Sequence, residues 1–259
     1  MSRKEINKQP IAIVGAGPGD VELITIKGRR LLDEAECIVY AGSLVNKKLL
    51  EGCKADIHDS QGMNLDEIIT ILSTAWKNGQ RVVRLHTGDP SIFGAIKEQM
   101  QQLDALQIPY RVVPGVSSAF GAAAALNAEL TLPEVAQTVI ITRQEGRTPV
   151  PELEKLQLLA SHQTTMLIFL SVSMMDKVVE ELMAGGYPED TPVAIVEKAT
   201  WDDETILTGS LKSIAAQVEQ AGIRKTAMIC VGRVFANTDL EAVSKLYDRS
   251  FSHGTRKAN

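Results

Sequence analysis

Histidine, cysteine and aromatic residues are scarce in this chain, and each shortage removes a class of chemistry. The four histidines, His58, His86, His162 and His253, form no HExxH pair and no Cys/His cluster, so no protein-built metal site is expected. The three cysteines are widely spaced, and Cys37 and Cys230 lie inside apolar strand-like runs where a small buried thiol is the expected use. Positive charge is also short: 27 Lys and Arg stand against 32 Asp and Glu, for a net charge of -5. With aromatics at only 4% and no basic stripe between them, a nucleic-acid partner is not expected. No apolar run approaches the roughly 20 residues of a membrane span, and Met1 to Pro10 is polar without an apolar stretch. The expectation is a cytoplasmic protein that engages no membrane. A hydrophobic content of 44% and a charged content of 23% exclude disordered and collagen-like classes.

What the chain does have is a repeated alternation of strand and helix patterns. Apolar runs at 11–14, 37–40 and 82–85 read as buried strands. Between them, Leu65, Ile68, Ile69, Leu72, Ala75 and Trp76 form one apolar helix face, with Asn64 able to cap its start and Lys77 suited to its end. A second helix is expected after Gly94, with Ile96, Met100 and Leu103 turned inward. Strand, helix, strand order predicts a largely parallel sheet. Past Pro133 the alternation restarts, with strands near 138–142, 165–170, 192–197, 204–208 and 226–234 and helices near 173–184 and 210–221. The chain of 259 residues is therefore expected to be α/β in class, with two α/β domains, 1–130 and 131–259, the latter ending in a short polar tail.

Three loops follow strands of the first half. Gly15-Ala16-Gly17-Pro18-Gly19-Asp20 superficially suggests a dinucleotide fingerprint, but Asp20 stands where a third glycine is needed and Pro18 lacks the amide that a pyrophosphate cradle uses. A nicotinamide or flavin site is therefore the least favoured reading, behind a structural turn and a loop approached closely by a ligand without phosphate. Thr87-Gly88-Asp89-Pro90 places a carboxylate beside open backbone, although taken alone it is an ordinary turn. Pro114-Gly115-Val116-Ser117-Ser118 puts hydroxyls at a helix start, where they can cap the helix or meet a ligand. All three loops are expected at the carboxyl edge of one parallel sheet, where α/β ligands bind.

Together with Leu23-Ile24-Thr25, Lys27-Gly28, Val83-Arg84-Leu85 and Val231-Gly232-Arg233-Val234, these loops resemble the tetrapyrrole methylases over about residues 11 to 235. Tyr40–Val45, Leu130–Glu134, Thr142–Pro149 and Ala199–Glu204 are similar to the branch of that family that methylates precorrin-4 at C11. Leu246–Phe251 resembles its cobalt-dependent, anaerobic form.

The resemblance implies S-adenosylmethionine as methyl donor, an active-site cleft between two α/β domains, a cobalt-precorrin-4 type tetrapyrrole as substrate and a homodimer. It places the cofactor on Pro18, Thr87, Gly88, Asp89, Ile92, Ser117 and Ser118, and on Leu170, Ala199, Thr226 and Ala227 in the second half. Metal-free precorrin-4 and uroporphyrinogen III remain alternative substrates, and a non-catalytic tetrapyrrole carrier remains an alternative function. Uroporphyrinogen-type members carry an Asp after the Tyr of the 40–45 segment, whereas Ala41-Gly42-Ser43 stands here, so no catalytic base is assigned. Candidates facing a polycarboxylate macrocycle are Ser43, His86, Arg143, Glu145, Arg147 and Lys198, since arginine binds carboxylate bidentately. Each is equally readable as solvated surface.

Overall fold

The computed structural model describes residues 9–236 together with 250, 252, 254, 256 and 257. Except for Ser250, the Leu246–Phe251 segment lies outside the described residues, as does His253. The chain forms two compact units, one running to Gly121 and taking in Thr200–Asp202, the other comprising Ala122–Ala199 and the chain from Asp203. This division falls earlier than the boundary near residue 130 expected from the sequence. Gly121 lies against the Pro18 ring, where an added Cβ would meet Pro18 Cβ at 2.9 Å, so packing draws the start of the alanine-rich helix into the first unit.

The first unit is built from β1 (Ile11–Gly15), α1 (Ile26–Asp33), β2 (Cys37–Tyr40), β3 (Asp56–Asp59), α2 (Leu65–Lys77), β4 (Val82–His86), α3 (Lys97–Ala105), β5 (Tyr110–Val113) and the start of α4 (Ser118–Ala125). Its sheet has the order β3-β2-β4-β1-β5 with every pairing parallel. The central strands β1, β2 and β4 are buried along their whole length; β1 and β2 accordingly read as continuous apolar runs rather than alternating ones, while β4 carries Arg84 and His86 among its apolar residues. One sheet face packs Val14, Leu32, Ile38 and Leu85 together; the other packs Ile11, Val39, Leu72 and Leu103. Asn64 and Glu67 close a reciprocal capping box at the start of α2, an arrangement worth about 1 kcal/mol. Strand β3 escaped the sequence pattern because Asp56-Ile57-His58-Asp59 is a short, largely exposed edge. In α3 the inward positions are Gln99 and Leu103, while Ile96 and Met100 are half-buried. A buried arginine under the helix explains the exchange: Arg84 Nε donates to Gln99 Oε1 at 3.1 Å.

In the second unit, β6 (Val139–Arg143), β7 (Thr165–Phe169), β8 (Pro192–Glu197), β9 (Thr205–Ser210) and β10 (Ala227–Val231) form a sheet ordered β6-β7-β10-β8-β9. Only β6 and β7 run parallel, and the other three pairings are antiparallel. Helices α5 (Leu156–Ala160), α6 (Met175–Ala184) and α7 (Leu211–Ala221) cover one face, contributing Leu156, Val178, Leu182, Ile214 and Val218 to a core with Met166, Ile168, Ile195 and Ile229. The strand expected over 226–234 stops at Val231, because Gly232 turns at φ 140° and Arg233–Phe235 form a 3₁₀ turn. Among the described residues no helix is long and apolar enough to cross a membrane.

Candidate functional site

The three loops of the first unit meet at the carboxyl ends of β4, β1 and β5, which are adjacent in the sheet. The chain leaves β1 toward β2 and leaves β4 toward β5, so the strand order reverses between these two neighbours, the position at which parallel α/β sheets bind ligands. Gly17 and Gly88 exchange backbone hydrogen bonds, the Gly88 amide donating to the Gly17 carbonyl at 2.9 Å and the Gly17 amide to the Gly88 carbonyl at 3.3 Å. Both have positive φ, 82° and 56°, a conformation that a Cβ would strain. Asp89 joins the third loop: its carboxylate accepts from the Ser91 amide at 2.8 Å and from the Gly115 amide at 2.9 Å. The carboxylate beside open backbone is thus spent on holding two loops together. Packing is correspondingly tight, and a Cβ on Gly115 would fall 2.2 Å from the Gly88 carbonyl oxygen.

Thr87, Gly88, Asp89, Ile92, Ser117 and Ser118 share this edge with Pro18. Ser117 is buried and its Oγ accepts from the Ala119 amide at 3.3 Å, so it caps α4. The donor set suits a cationic ligand without phosphate. Pro18 offers no amide, Asp20 and Asp89 add negative charge, and the glycines leave main chain exposed at close range.

In the second unit, Leu170, Lys198, Ala199, Thr226 and Ala227 gather at a single edge of its sheet. Strand β10 runs against β7 and β8, so its start pairs with their ends: Ala227 lies opposite Glu197, and the Lys198 amide donates to the Thr226 carbonyl at 2.8 Å. Leu170, Lys198 and Thr226 all hold positive φ, at 57°, 50° and 55°. Such strain in non-glycine residues concentrates at functional sites, because packing must over-determine it. Leu170 is also 68% exposed despite being apolar.

The family model for tetrapyrrole (corrin/porphyrin) methylases matches residues 10–215. The chain belongs to this family. It is 60% identical over 255 residues to the cobalt-precorrin-4 C(11)-methyltransferase of Methanocaldococcus jannaschii, covering 98% of each chain. Among solved structures it is similar to a cobalt-precorrin-4 methyltransferase, a cobalamin biosynthetic enzyme, with a TM-score of 0.87, 45% identity and coverage of 91% of this chain and 99% of that one. It also resembles a uroporphyrin-III C-methyl transferase from Thermus thermophilus complexed with S-adenosyl homocysteine, at TM-score 0.74 and 28% identity, covering 87% and 98% of the two chains. The two-sheet α/β architecture is thus that of a tetrapyrrole methylase.

The substrate-facing candidates of this methylase fare unevenly. Ser43 and Arg147 are exposed. Arg143, at the end of β6, turns its guanidinium onto its own loop, donating to the carbonyls of Gln144 at 3.4 Å, Thr148 at 3.1 Å and Pro149 at 2.7 Å. Glu145 Oε2 accepts from the Val150 amide at 3.4 Å, so the same loop is held from two sides. Lys198 is paired with Asp203, which raises the lysine pKa and lowers that of the aspartate. His86 is buried at the end of β4, and its Nε2 has no hydrogen-bond partner among the described residues. Burial, helped by the neighbouring Arg84 charge and opposed by Gln99, pushes its pKa down to about 3. Its burial sets it apart from the exposed candidates.

Sequence reasoning missed a polar network behind the loops. Arg84 is buried without a carboxylate partner among the described residues and is instead held by Gln99, the Val39 carbonyl at 3.2 Å and Ser60 Oγ at 3.1 Å. Desolvation lowers its pKa to about 10. Gln99 Nε2 then bonds the Ala95 carbonyl at 3.0 Å, bracing a turn in which Phe93 and Ala95 hold φ of 53° and 47°. A charged residue in an otherwise apolar strand was the available signal.

Proposed function

We propose that this protein transfers a methyl group from S-adenosylmethionine to C11 of cobalt-precorrin-4 in anaerobic cobalamin biosynthesis. The observation that carries the reading is the joining of three glycine-bearing loops by Asp89 and the Gly17–Gly88 pair at the switch point of a parallel sheet, in a chain 60% identical to a methylase of that name. Pro18, Thr87, Gly88, Asp89, Ile92, Ser117 and Ser118 are the proposed donor residues of the first unit, and Leu170, Ala199, Thr226 and Ala227 those of the second. The donor, when bound, supplies an electrophilic methyl on a sulfonium. The chain's part is positional: backbone groups of the loops orient the ligand, tight packing excludes water, and acidic side chains tolerate the positive charge. Methyl transfer is an in-line displacement, so alignment rather than a protein nucleophile supplies the acceleration.

Ser43, His86, Arg143, Glu145, Arg147 and Lys198 are the proposed substrate residues, with Arg143 and Glu145 acting through the loop they hold. The same reading expects a cytoplasmic homodimer, which light scattering checks for oligomeric state. Incubating the purified protein with S-adenosylmethionine and cobalt-precorrin-4 should yield a product heavier by one methyl group, together with S-adenosylhomocysteine. Competition with metal-free precorrin-4 and uroporphyrinogen III tests the substrate. A preference for either, or tight macrocycle binding without turnover, would overturn it.

A further inference from the structure

The turn Pro18-Gly19-Asp20 is held by groups far from it in sequence, one on each of three successive residues. The Pro18 carbonyl accepts from Trp201 Nε1 at 2.9 Å, the Gly19 carbonyl from Asn46 Nδ2 at 2.9 Å, and the Asp20 amide donates to Thr200 Oγ1 at 3.0 Å. Gly19 has no room for a side chain, since a Cβ there would lie 2.1 Å from Cδ1 of the Trp201 indole. The segment that reaches back to the turn is itself fixed. Thr200 holds φ 69°, and Asp202 pairs with Lys48 at 2.6 Å. That exposed ion pair contributes little energy by itself. The strained threonine shows that tertiary contacts dictate this backbone.

We infer that Trp201 and Thr200 are positioning residues for the Pro18–Asp20 turn and set the protein's affinity for its methyl donor. The inference rests on the reading of that turn as part of the donor site. A turn of proline and glycine has few contacts of its own with which to hold one shape, and every peptide orientation it samples away from the bound one reduces donor affinity by that population. Bonds from Trp201, Thr200 and Asn46 remove those alternatives before the ligand arrives. Gly19 and Trp201 then act as one unit, in which the missing Cβ admits the indole and the indole fixes the carbonyl.

The test is calorimetric titration with S-adenosylhomocysteine. Wild-type protein should bind; if it does not, the donor reading fails and the inference with it. Trp201→Phe, which keeps the ring and removes the donor, should weaken binding about tenfold, and the KM for S-adenosylmethionine should rise similarly while kcat stays within about twofold. Gly19→Ala should cost about tenfold in wild type but under about threefold in a Trp201→Ala background, because the alanine then has no indole to displace. Wild-type binding with additive Gly19 and Trp201 effects would overturn the inference and leave the donor reading standing.

Discussion

The Gly115 amide donates to the Asp89 carboxylate at 2.9 Å, tying the loop after β5 to the loop after β4 across the end of β1. The second carboxylate oxygen accepts from Ser91, so a single side chain fixes both its own turn and its neighbour's. Replacing Asp89 with asparagine turns one acceptor into an amide donor facing a backbone N–H. Stability should fall by about 1–3 kcal/mol in urea denaturation, and S-adenosylhomocysteine binding should weaken in parallel. A variant as stable as wild type would show that the two loops are held by other contacts.

Gly115→Ala presses a methyl against the Gly88 carbonyl, and neither backbone can yield without parting the Gly17–Gly88 pair. The expected cost is about 1–3 kcal/mol, with donor binding lost before the fold. Gly62→Ala, with nothing within 4 Å of the added Cβ, should stay within about 0.5 kcal/mol of wild type. Thermal melts of the two variants provide the comparison.

His86 makes stability depend on pH. Its pKa is about 3 in the folded chain against 6.5 when free, so between these values the unfolded state binds the extra proton. Stability therefore rises with pH through this window and is full above the unfolded value; it falls as the pH drops below 6.5, by up to about 1.4 kcal/mol per pH unit. His86→Gln should flatten the slope of unfolding free energy between about pH 6.5 and 5, above the range where most carboxylates titrate. An unchanged slope would place the proton-linked group elsewhere.

Arg143 spans three carbonyls of the loop that follows β6. A lysine keeps the charge but cannot reproduce a planar fork. Arg143→Lys should raise amide exchange in residues 144–150 roughly tenfold and raise the KM for the tetrapyrrole. A raised KM with unchanged exchange would instead place the guanidinium directly on the substrate.

Much of the fold could be read from periodicity. β1 and β2 are apolar because a parallel sheet buries both faces, and α2 announces itself by its stripe and by Asn64. β3 was hidden by its charged, exposed residues, and the burial of Gln99 by its dependence on Arg84, a partner fifteen positions away. The three glycine loops were visible as motifs, yet nothing local shows that Asp89 binds Gly115 rather than a ligand.

The sequence by itself determined the α/β class, the family and the segments that carry the site, because hydrophobic period, turn residues and motif spacing are local properties. Tertiary structure decided how those segments are used. Asp89 became a clasp between loops, Arg143 a brace for its own loop and His86 a buried neutral imidazole. Trp201 came to hold a turn more than 180 residues away. Each of these outcomes depends on hydrogen bonds and desolvation between residues distant in sequence, and those energies exist only once the chain has brought the groups together.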